Sequence, residues 1–513
     1  MRILFIIILN FLSISLFAQV NMLSQYASGT FVDSKVIYDS EKDDVFGYLL
    51  FYKKDKKASD VYEYEYVILD NTLNKISSLV VDQRIMGNIY AKELCLARKF
   101  NDKIIFGTYD DLTNNQIFTT GPMNTTYFTF DINKVEFSPN FYFHGNEKLL
   151  NETSRELEMK YENLIRREVI KPINSKYLLN FTFANYDASN KIFFSLNKIF
   201  EDRLKKINGF SLLDKDFKVL WTHSYNSDVK KSFDEYQLIM SGEESFVMLK
   251  TTHNGSKNIK FIEVFRIKDG KLLNSIPYVN DDFTKKIARL DTEGDHFNII
   301  FNLYKLKDKK VLSQDILGFS KLSIDKNTGQ LVIKENILWD KFAKYFEIKK
   351  PAKSGKINKK GNLLMRDFIT LNSGNHLALF EVAEIKKKED ILKELYFIEF
   401  DQNLNILKID KQDREANSTI KYRKLNSHRF TQKLNTKGDF VFYYDIYEKE
   451  NKKLTHKLGI STYVNNIISH QKISLDKGKS KIEPVVAKNG YILLMEYDTK
   501  NKAVEQRLEK INL

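Results

Sequence analysis

A hairpin pattern that recurs along almost the whole chain limits this sequence to few folds. Each repeat has a short apolar run, a polar loop and a second, alternating run. The first runs are Phe46–Phe51, Lys103–Tyr109, Tyr177–Phe183, Ser245–Lys250, His296–Leu303, His376–Val382, Asp439–Ile446 and Tyr491–Tyr497. Their partners are Val61–Leu69, Tyr127–Ile132, Gly209–Leu213, Ile259–Ile267, Ile316–Ile324, Leu395–Phe400, Lys457–Val464 and Val504–Ile511. The first runs start between residues 46 and 491, so one repeat takes about 64 residues.

The composition of the runs predicts β-strands, because Phe, Tyr, Ile and Val recur in them with a period of two. Both faces of Phe261–Ile267 carry apolar residues, which is typical of a sheet covered on both sides. Four-stranded blades packed around an axis fit this period and leave few exposed edges. We therefore predict an all-β fold: one β-propeller domain over residues 19–513, with eight four-stranded antiparallel blades and seven as the alternative.

Three further segments have a predicted place in this ring. The chain ends on Val504–Ile511, so a segment near Val20–Ser28 is expected to complete the last blade. Residues 151–169 put several apolar side chains on one helical face and predict a short surface helix inserted in the propeller. Leu338–Phe346 predicts a second short helix.

The first 18 residues read as a cleavable secretory signal peptide. Arg2 precedes the apolar runs Ile3–Leu9 and Phe11–Phe17, and cleavage is expected near Ala18–Gln19. An uncleaved membrane anchor is the alternative, although the segment is shorter than the ~20 residues that a spanning helix needs. A periplasmic or secreted location follows. With one cysteine the chain forms no internal disulfide, so burial of its core must hold it together.

The basic charge of the chain points to anionic partners, or to none. The formal net charge of +14 suits anionic lipids or polysaccharides, and export disfavours nucleic acid. Lysines and acids are interleaved through most of the sequence, as in solvated turns. The exception is a lysine-rich loop over residues 349–361, which could bind an anionic envelope surface or be a plain solvated turn. Its candidate anion-binding residues are Lys349, Lys350, Lys353, Lys356, Lys359 and Lys360.

Catalytic, cofactor and metal motifs are absent from the sequence, and we predict no cofactor and no metal site. Asp325, Asn327 and Gly329 predict a hairpin turn rather than a calcium loop. Lone strand histidines such as His296 and His376 are expected to be structural. Paired carboxylates could serve a glycosidase, although in loops they are ordinarily solvated charge; they are Asp43 with Asp44, Asp110 with Asp111, Asp281 with Asp282, and Glu63 with Glu65. Trp221 and Trp339 fit either sugar platforms or the core.

One region is similar to a known group of proteins. Ser354–Leu364, followed by Asp367-Phe368 and Ser373-Gly374-Asn375, resembles an uncharacterised family of exported β-propeller-like proteins of Bacteroidota. The leader end Leu16-Phe17-Ala18-Gln19 is similar to exported proteins of that group. The resemblance implies export, and it implies no activity, cofactor or catalytic residue.

The sequence leaves three functions open. The first is a non-enzymatic, monomeric binding or scaffold propeller whose partner is a protein or a glycan. The second is a carbohydrate-active enzyme using carboxylates in the central funnel, which requires acids or histidines to converge there. The third is adhesion to anionic envelope polymers through the lysine-rich loop.

The adhesion hypothesis predicts salt-sensitive binding to lipopolysaccharide, because exposed charges are screened within about 8 Å at physiological ionic strength. Changing all six candidate lysines of the loop to Gln should abolish that binding in a lipopolysaccharide pull-down. Unchanged binding of the substituted protein would rule the hypothesis out.

Overall fold

The alternating runs form strands throughout the computed structural model. It describes residues 19–511 except 40–43, 60, 85–89, 101, 113–124, 138–180, 187–190, 197–208, 214–218, 225–232, 255–256, 279–282, 292–293, 308–309, 347–355, 358–360, 386–389, 414–426, 436, 451–452, 478–479 and 499–502. The described part of the chain is all-β and contains no α-helix. It also contains no helix long and apolar enough to cross a membrane.

The strands group into consecutive antiparallel sheets, which we number in chain order. Sheets 1 and 2 hold β2 (Thr30–Asp39), β3 (Asp44–Lys56), β4 (Val61–Asp70) and β5 (Lys75–Arg84), then β6 (Tyr90–Phe100), β7 (Lys103–Leu112), β8 (Thr125–Asp131) and β9 (Glu136–Phe137). A short parallel pairing of β2 with β6, Tyr38 opposite Arg98 and Asp39 opposite Lys99, joins these two antiparallel groups into one eight-stranded sheet. Sheets 3 and 4 hold β10 (Phe181–Tyr186), β11 (Lys191–Leu196), β12 (Gly209–Leu213) and β13 (Val219–Ser224), then β14 (Phe233–Ser241), β15 (Ser245–Asn254), β16 (Lys257–Arg266) and β17 (Leu272–Pro277).

Sheets 5 to 8 follow the same order. Sheet 5 holds β18 (Phe283–Asp291), β19 (His296–Lys307), β20 (Lys310–Asp325) and β21 (Leu331–Leu338), and sheet 6 holds β22 (Lys356–Ile357), β23 (Gly361–Thr370), β24 (His376–Ile385), β25 (Asp390–Phe400) and β26 (Ile406–Asp413). Sheet 7 holds β27 (His428–Lys433), β28 (Phe440–Glu450), β29 (Lys453–Val464) and β30 (Ile467–Ser474). Sheet 8 holds β31 (Asp476–Lys477), β32 (Ser480–Val486), β33 (Tyr491–Tyr497), β34 (Ala503–Lys510) and β1 (Gln19–Met22).

Each described hydrophobic cluster lies between two neighbouring sheets, so the sheets stack face to face. The rings of Tyr66 in sheet 1 and Phe106 in sheet 2 are 5.1 Å apart. Phe397 in sheet 6 and Phe442 in sheet 7 are 5.3 Å apart. Other clusters join sheets 3 and 4, 4 and 5, 5 and 6, 7 and 8, and 8 and 1. The predicted β-propeller class and the two-sided burial are confirmed, whereas the blade number stays a prediction.

The two ends of the described chain meet in sheet 8, as the sequence predicted. β1 pairs antiparallel with β34, and Gln19 lies opposite Leu508. Directly after β1, Leu23 is buried between sheets 8 and 1, and its carbonyl accepts a 2.9 Å hydrogen bond from the Tyr52 hydroxyl. The first residues of the described structure therefore join its last sheet to its first.

Seven of the eight predicted hairpins are confirmed, and one was paired wrongly. In sheet 3, Gly209–Leu213 pairs with Lys191–Leu196. The predicted partner Tyr177–Phe183 overlaps β10, which is the first strand of this sheet rather than the second. The apolar run Lys191–Leu196 resembles the first run of a hairpin as closely as its neighbour does, so the pattern alone could not place the pair.

Three smaller predictions have different outcomes. The short helix predicted over Leu338–Phe346 is confirmed as a shorter 3₁₀ helix at Trp339–Phe342, and a second one lies at Leu23–Gln25. The surface helix predicted over residues 151–169 lies outside the described residues. Asp325 forms the predicted hairpin turn, in which its carboxylate accepts hydrogen bonds from Asn327 and Thr328.

Closure through Leu23 generates a stability prediction. Leu23→Ala should lower the free energy of unfolding by about 2–5 kcal/mol, because a buried leucine is replaced by a cavity between two sheets. Urea denaturation followed by tryptophan fluorescence measures this change. The control is Met22→Ala at the exposed neighbouring position, which should change stability by less than about 0.5 kcal/mol. Equal effects of the two substitutions would contradict the role given to Leu23.

Candidate functional site

A cavity of about 950 Å³ lies where the first strands of the sheets converge. We call the first long strand of each sheet its inner strand, because sheets 6 and 8 begin with the two-residue strands β22 and β31. The inner strands that contribute to the cavity wall are β2, β14, β18, β23, β27 and β32. The wall takes side chains from six different sheets, of which five contribute charged, polar or aromatic groups and sheet 4 contributes Met240. Its polar and charged members are Tyr38, Asp39, Asp44, Arg289, Asp291, Thr370, Asn372, His428, Arg429, Thr431, Gln432, Lys433 and Asn489.

A recurring β-bulge gives these inner strands their side-chain directions. In four inner strands one residue is skipped in the pairing with the next strand, between Leu238 and Met240, Ile287 and Arg289, Met365 and Asp367, and His428 and Phe430. The inner strands β2 and β6 carry a corresponding shift. A bulge interrupts the alternation of side chains and re-aims those that follow it. Charged residues of an otherwise apolar strand can thus reach the cavity wall.

The backbone N–H and carbonyl groups at one bulge form hydrogen bonds with a side chain of the neighbouring sheet. The side-chain amide of Asn302 in β19 donates a 3.1 Å hydrogen bond to the carbonyl of Met365, and its oxygen accepts a 3.2 Å bond from the Met365 N–H. Buried backbone groups need such partners, because leaving them unpaired is costly. Sheets 5 and 6 are therefore fixed to each other at the point where the charged residues begin.

Asp367 is the centre of a buried polar cluster that joins three inner strands. Its side chain is 1% exposed. One carboxylate oxygen accepts the hydroxyl proton of Thr431 and lies 3.6 Å from Nε2 of His428. The other accepts a 2.9 Å bond from the Phe368 N–H and lies 3.3 Å from Nε of Arg289. A buried carboxylate needs this many partners to offset the loss of its hydration.

The hydrogen bonds of Thr431 determine the tautomer of His428. Thr431 has one hydroxyl proton and gives it to Asp367, so Nε2 of His428 must donate across the 2.9 Å contact to Thr431. Burial lowers the pKa of His428, and the opposing effect of Asp367 does not cancel it. A neutral imidazole protonated at Nε2 carries its lone pair at Nδ1. In the described part of the chain Nδ1 has no hydrogen-bond partner.

Arg289 presents a positive charge at the cavity. Its Nε faces Asp367 at 3.3 Å without making an aligned hydrogen bond, so the contact is an ion pair. The side chain is 42% exposed although Nε is buried, so its exposed surface lies on its other atoms. Among the described residues, its two terminal nitrogens have no partner. A guanidinium with free terminal nitrogens is suited to bind a carboxylate or sulfate.

The other arginines near the cavity are engaged more fully. Arg429 donates a 2.8 Å hydrogen bond to Asp445, which His456 also contacts at 2.7 Å. Burial raises the pKa of Asp445, but these two bonds outweigh it and hold the pKa below its ordinary value. Arg366 donates a 2.7 Å bond to the buried carboxylate of Glu381. These two arginines therefore stabilise the wall.

The wall carboxylates are likewise held by neighbours. Asp39 pairs with Lys99 at 3.1 Å, and Asp44 accepts a 2.8 Å bond from the N–H of Asn489. Asp291 accepts a 3.0 Å bond from the hydroxyl of Thr370. No group of His, Cys, Asp and Glu side chains within the described ranges is arranged to hold a metal ion.

A serine, a histidine and an aspartate also form a chain away from the cavity, between sheets 6 and 7. Nδ1 of His470 lies 2.7 Å from the Ser461 hydroxyl, and its Nε2 lies 3.0 Å from Asp410. Ser461 is 0% exposed and also contacts the hydroxyl of Tyr444. No substrate can reach a nucleophile enclosed in this way, so the chain is structural.

The structure describes only some of the residues singled out from the sequence. Of the six lysines, Lys349, Lys350, Lys353, Lys359 and Lys360 lie outside the described residues, and Lys356 is described by its backbone in β22 alone. The anion-binding role of this loop stays a prediction.

The carboxylate pairs and the tryptophans are placed more clearly. Asp44 lines the cavity, whereas Glu63 and Glu65 form ion pairs with lysines such as Lys54. Asp43, Asp281 and Asp282 lie outside the described residues, and the backbone of Asp110 and Asp111 lies in β7. Trp339 is fully buried and Trp221 packs on Phe246, so both belong to the core rather than to a sugar platform.

Sequence reasoning missed Arg289, Asp367 and the role of His428. One signal was available, because Arg366 and Asp367 interrupt the apolar run Leu363–Ile369 with two adjacent charges. Two consecutive charges cannot both face water on a strand that is buried on both sides, so they mark a bulge or a buried ion pair.

Comparisons with known proteins show similarity in fold and little in sequence. Residues 404–512 match the model of a family of unknown function, DUF6770. No curated protein matches the chain. A PL25 ulvan lyase structure bound to -[GlcA(1-4)Rha3S]- is 8% identical, with 81% of this chain and 91% of that chain covered and a TM-score of 0.40. The β-propeller domain of the Trilobed protease from Pyrococcus furiosus is 11% identical, with 97% of each chain covered and a TM-score of 0.36. Prolyl oligopeptidase B from Galerina marginata is 9% identical, with 93% of this chain and 57% of that chain covered and a TM-score of 0.34.

A buried histidine beside the cavity, His376, contacts the wall residue Thr370 and generates a pH prediction. This buried residue lies 3.0 Å from the Lys321 ammonium, and burial together with that charge lowers its pKa from 6.5 to about 4. The unfolded chain takes up the proton near pH 6.5 and the folded chain near pH 4, so folding stability should fall as pH decreases through this interval.

His376→Gln should remove this part of the pH dependence, which amounts to about 3 kcal/mol, because glutamine does not titrate. Urea denaturation at several pH values between 6.5 and 4 measures it. Lys321→Met is the companion variant: removing the neighbouring charge should raise the folded-state pKa of His376, so the fall in stability should be smaller and end at a higher pH. An unchanged slope in His376→Gln would contradict the prediction.

Proposed function

We propose that this protein is an exported, non-enzymatic β-propeller that binds a glycan in the cavity between its inner strands. The observation that carries the proposal is the cavity itself: about 950 Å³ of space lined by side chains from six sheets. Ligand sites are commonly clefts of about 300–1,000 Å³ in which a few polar groups are placed among apolar ones. A rigid ring that holds such groups in fixed positions is suited to binding.

The side chains of the wall favour a glycan over a purely apolar ligand. Tyr38 and Phe430 contribute partly exposed aromatic surface, while Asn372, Thr370 and the wall carboxylates offer hydrogen bonds to hydroxyl groups. Sugars present both kinds of surface, since their ring C–H faces are apolar and their edges are polar.

Export remains part of the proposal, supported by the leader pattern of the first 18 residues. Cleavage near Ala18–Gln19 would leave β1 whole, because that strand starts at Gln19 and pairs with β34. The mature protein would keep the pairing that joins its last sheet to its first.

A carbohydrate-active enzyme is the second candidate, favoured by the convergence of His428 and Asp367 at the inner strands. Asp367 is buried and surrounded by donors, so it is suited to orient His428 rather than to act on a substrate. Release of new reducing ends or of unsaturated sugars from a bound glycan would establish this candidate over simple binding.

The binding proposal is tested with a microarray of neutral and acidic oligosaccharides. The wild-type protein should bind at least one class, and Asn372→Trp should weaken that binding at least tenfold by filling the cavity rim. The matched control is Asn403→Trp, which puts the same side chain on an exposed turn that does not line the cavity. Absence of any binding, or equal binding by both variants, would refute the proposal.

A further inference from the structure

Two hydrogen-bonded chains, each made of a histidine, a threonine and an aspartate, lie at the inner strands. In the first, His428 contacts the hydroxyl of Thr431 at 2.9 Å, and that hydroxyl donates to Asp367. In the second, Nδ1 of His376 contacts the hydroxyl of Thr370 at 3.2 Å, and that hydroxyl donates to Asp291 at 3.0 Å. In each chain the threonine has given its proton to the aspartate, so the histidine must donate to the threonine.

The two chains differ at the second nitrogen of the histidine. In His376 the lone pair at Nε2 accepts from the ammonium of Lys321, 3.0 Å away. In His428 the corresponding lone pair lies at Nδ1, and no donor from the described part of the chain meets it. His428 lines the cavity, whereas His376 does not. One chain is thus completed by the protein, while the other ends at a vacant acceptor on a residue of the cavity wall.

Arg289 adds a vacant donor to the same cluster. Its Nε lies 3.3 Å from the carboxylate of Asp367 that also anchors His428 through Thr431. Asp367 faces only the Nε of Arg289, and its oxygens also accept from the Phe368 N–H and the Thr431 hydroxyl, so the terminal nitrogens of the guanidinium keep unused donors. A second anion at its free terminal nitrogens would complete its hydrogen bonding, as in bidentate arginine–carboxylate pairs.

We propose that the cavity is specific for acidic oligosaccharides, whose carboxylate or sulfate binds the terminal nitrogens of Arg289 and whose neighbouring hydroxyl donates to Nδ1 of His428. The inference rests on the proposed glycan binding and deepens it. Acidic sugars carry an anionic group and hydroxyl donors within one ring, which matches a guanidinium and a neutral imidazole held by one carboxylate. A neutral sugar leaves the guanidinium unpaired, and a simple inorganic anion leaves the imidazole unpaired.

The test uses oligogalacturonate, its fully methyl-esterified form and a sulfated galactan oligosaccharide in isothermal titration calorimetry. The ester keeps the hydroxyl groups and removes the charge, so it is the matched neutral probe. Oligogalacturonate or the sulfated galactan should bind at least tenfold more tightly than the ester, and the two acidic probes show whether carboxylate or sulfate is preferred. Arg289→Gln should reduce the affinity for the acidic probe about tenfold to hundredfold and leave the ester unchanged.

Arg266→Gln is the control for net charge, since this arginine is exposed at a turn of sheet 4 and pairs with Asp269. It should keep wild-type affinity for the acidic probe. His428→Leu should also lower the affinity for the acidic probe. The protein should still prefer the acid to the ester, because Arg289 remains.

The outcomes separate this inference from the proposal on which it rests. Equal affinity for acid and ester, equal affinity of Arg289→Gln and wild type, or no binding of either acidic probe would overturn the specificity for acidic sugars. In each of these cases, a neutral glycan whose binding is blocked by Asn372→Trp would keep the glycan-binding proposal standing. Thermal melting of both cavity variants confirms that any loss of affinity occurs in folded protein.

Discussion

Burial on both faces of each sheet is the constraint on which the rest of this structure depends. A strand such as β4 carries Tyr64 and Tyr66 on one face and Val67 and Leu69 on the other, and all four are buried. Each sheet therefore needs a neighbour on each face, and a stack of sheets has two uncovered ends unless it closes. The pairing of β1 with β34, and the cluster that Leu23 joins between sheets 8 and 1, cover those ends.

Stacking of this kind brings the inner strands together at the centre, where polar groups are removed from water and need hydrogen-bond partners. Inner strands lie close to one another, and their bulges leave backbone groups and charged side chains away from bulk solvent. Asn302 and Asp367 resolve this locally by bonding across to neighbouring sheets. Such buried networks are stable when every member is paired, and costly when one is not. The vacant positions at Arg289 and His428 therefore stand out against a wall in which the described acids have partners.

Charge on this protein has two separate roles. Many acids on the outer parts of the sheets pair with lysines, as Glu448 does with Lys457 at 2.7 Å. Such pairs need no ligand. The cavity differs because Arg289 meets its carboxylate through Nε alone, so the terminal donors of the guanidinium remain available where space for a ligand exists.

The sequence by itself determined the fold class and most of the strand pairing. Period-two alternation and a 64-residue repeat specify sheets buried on both faces, since local pattern and burial encode the same information. It mispaired Tyr177–Phe183, because neighbouring apolar runs look alike when their partners are unknown. Tertiary structure alone decided the site: Arg289, Asp367 and His428 lie far apart in the chain and meet where three inner strands converge. Their contacts depend on one-residue bulges and on the angles between sheets, and neither leaves a periodic trace in a single sequence.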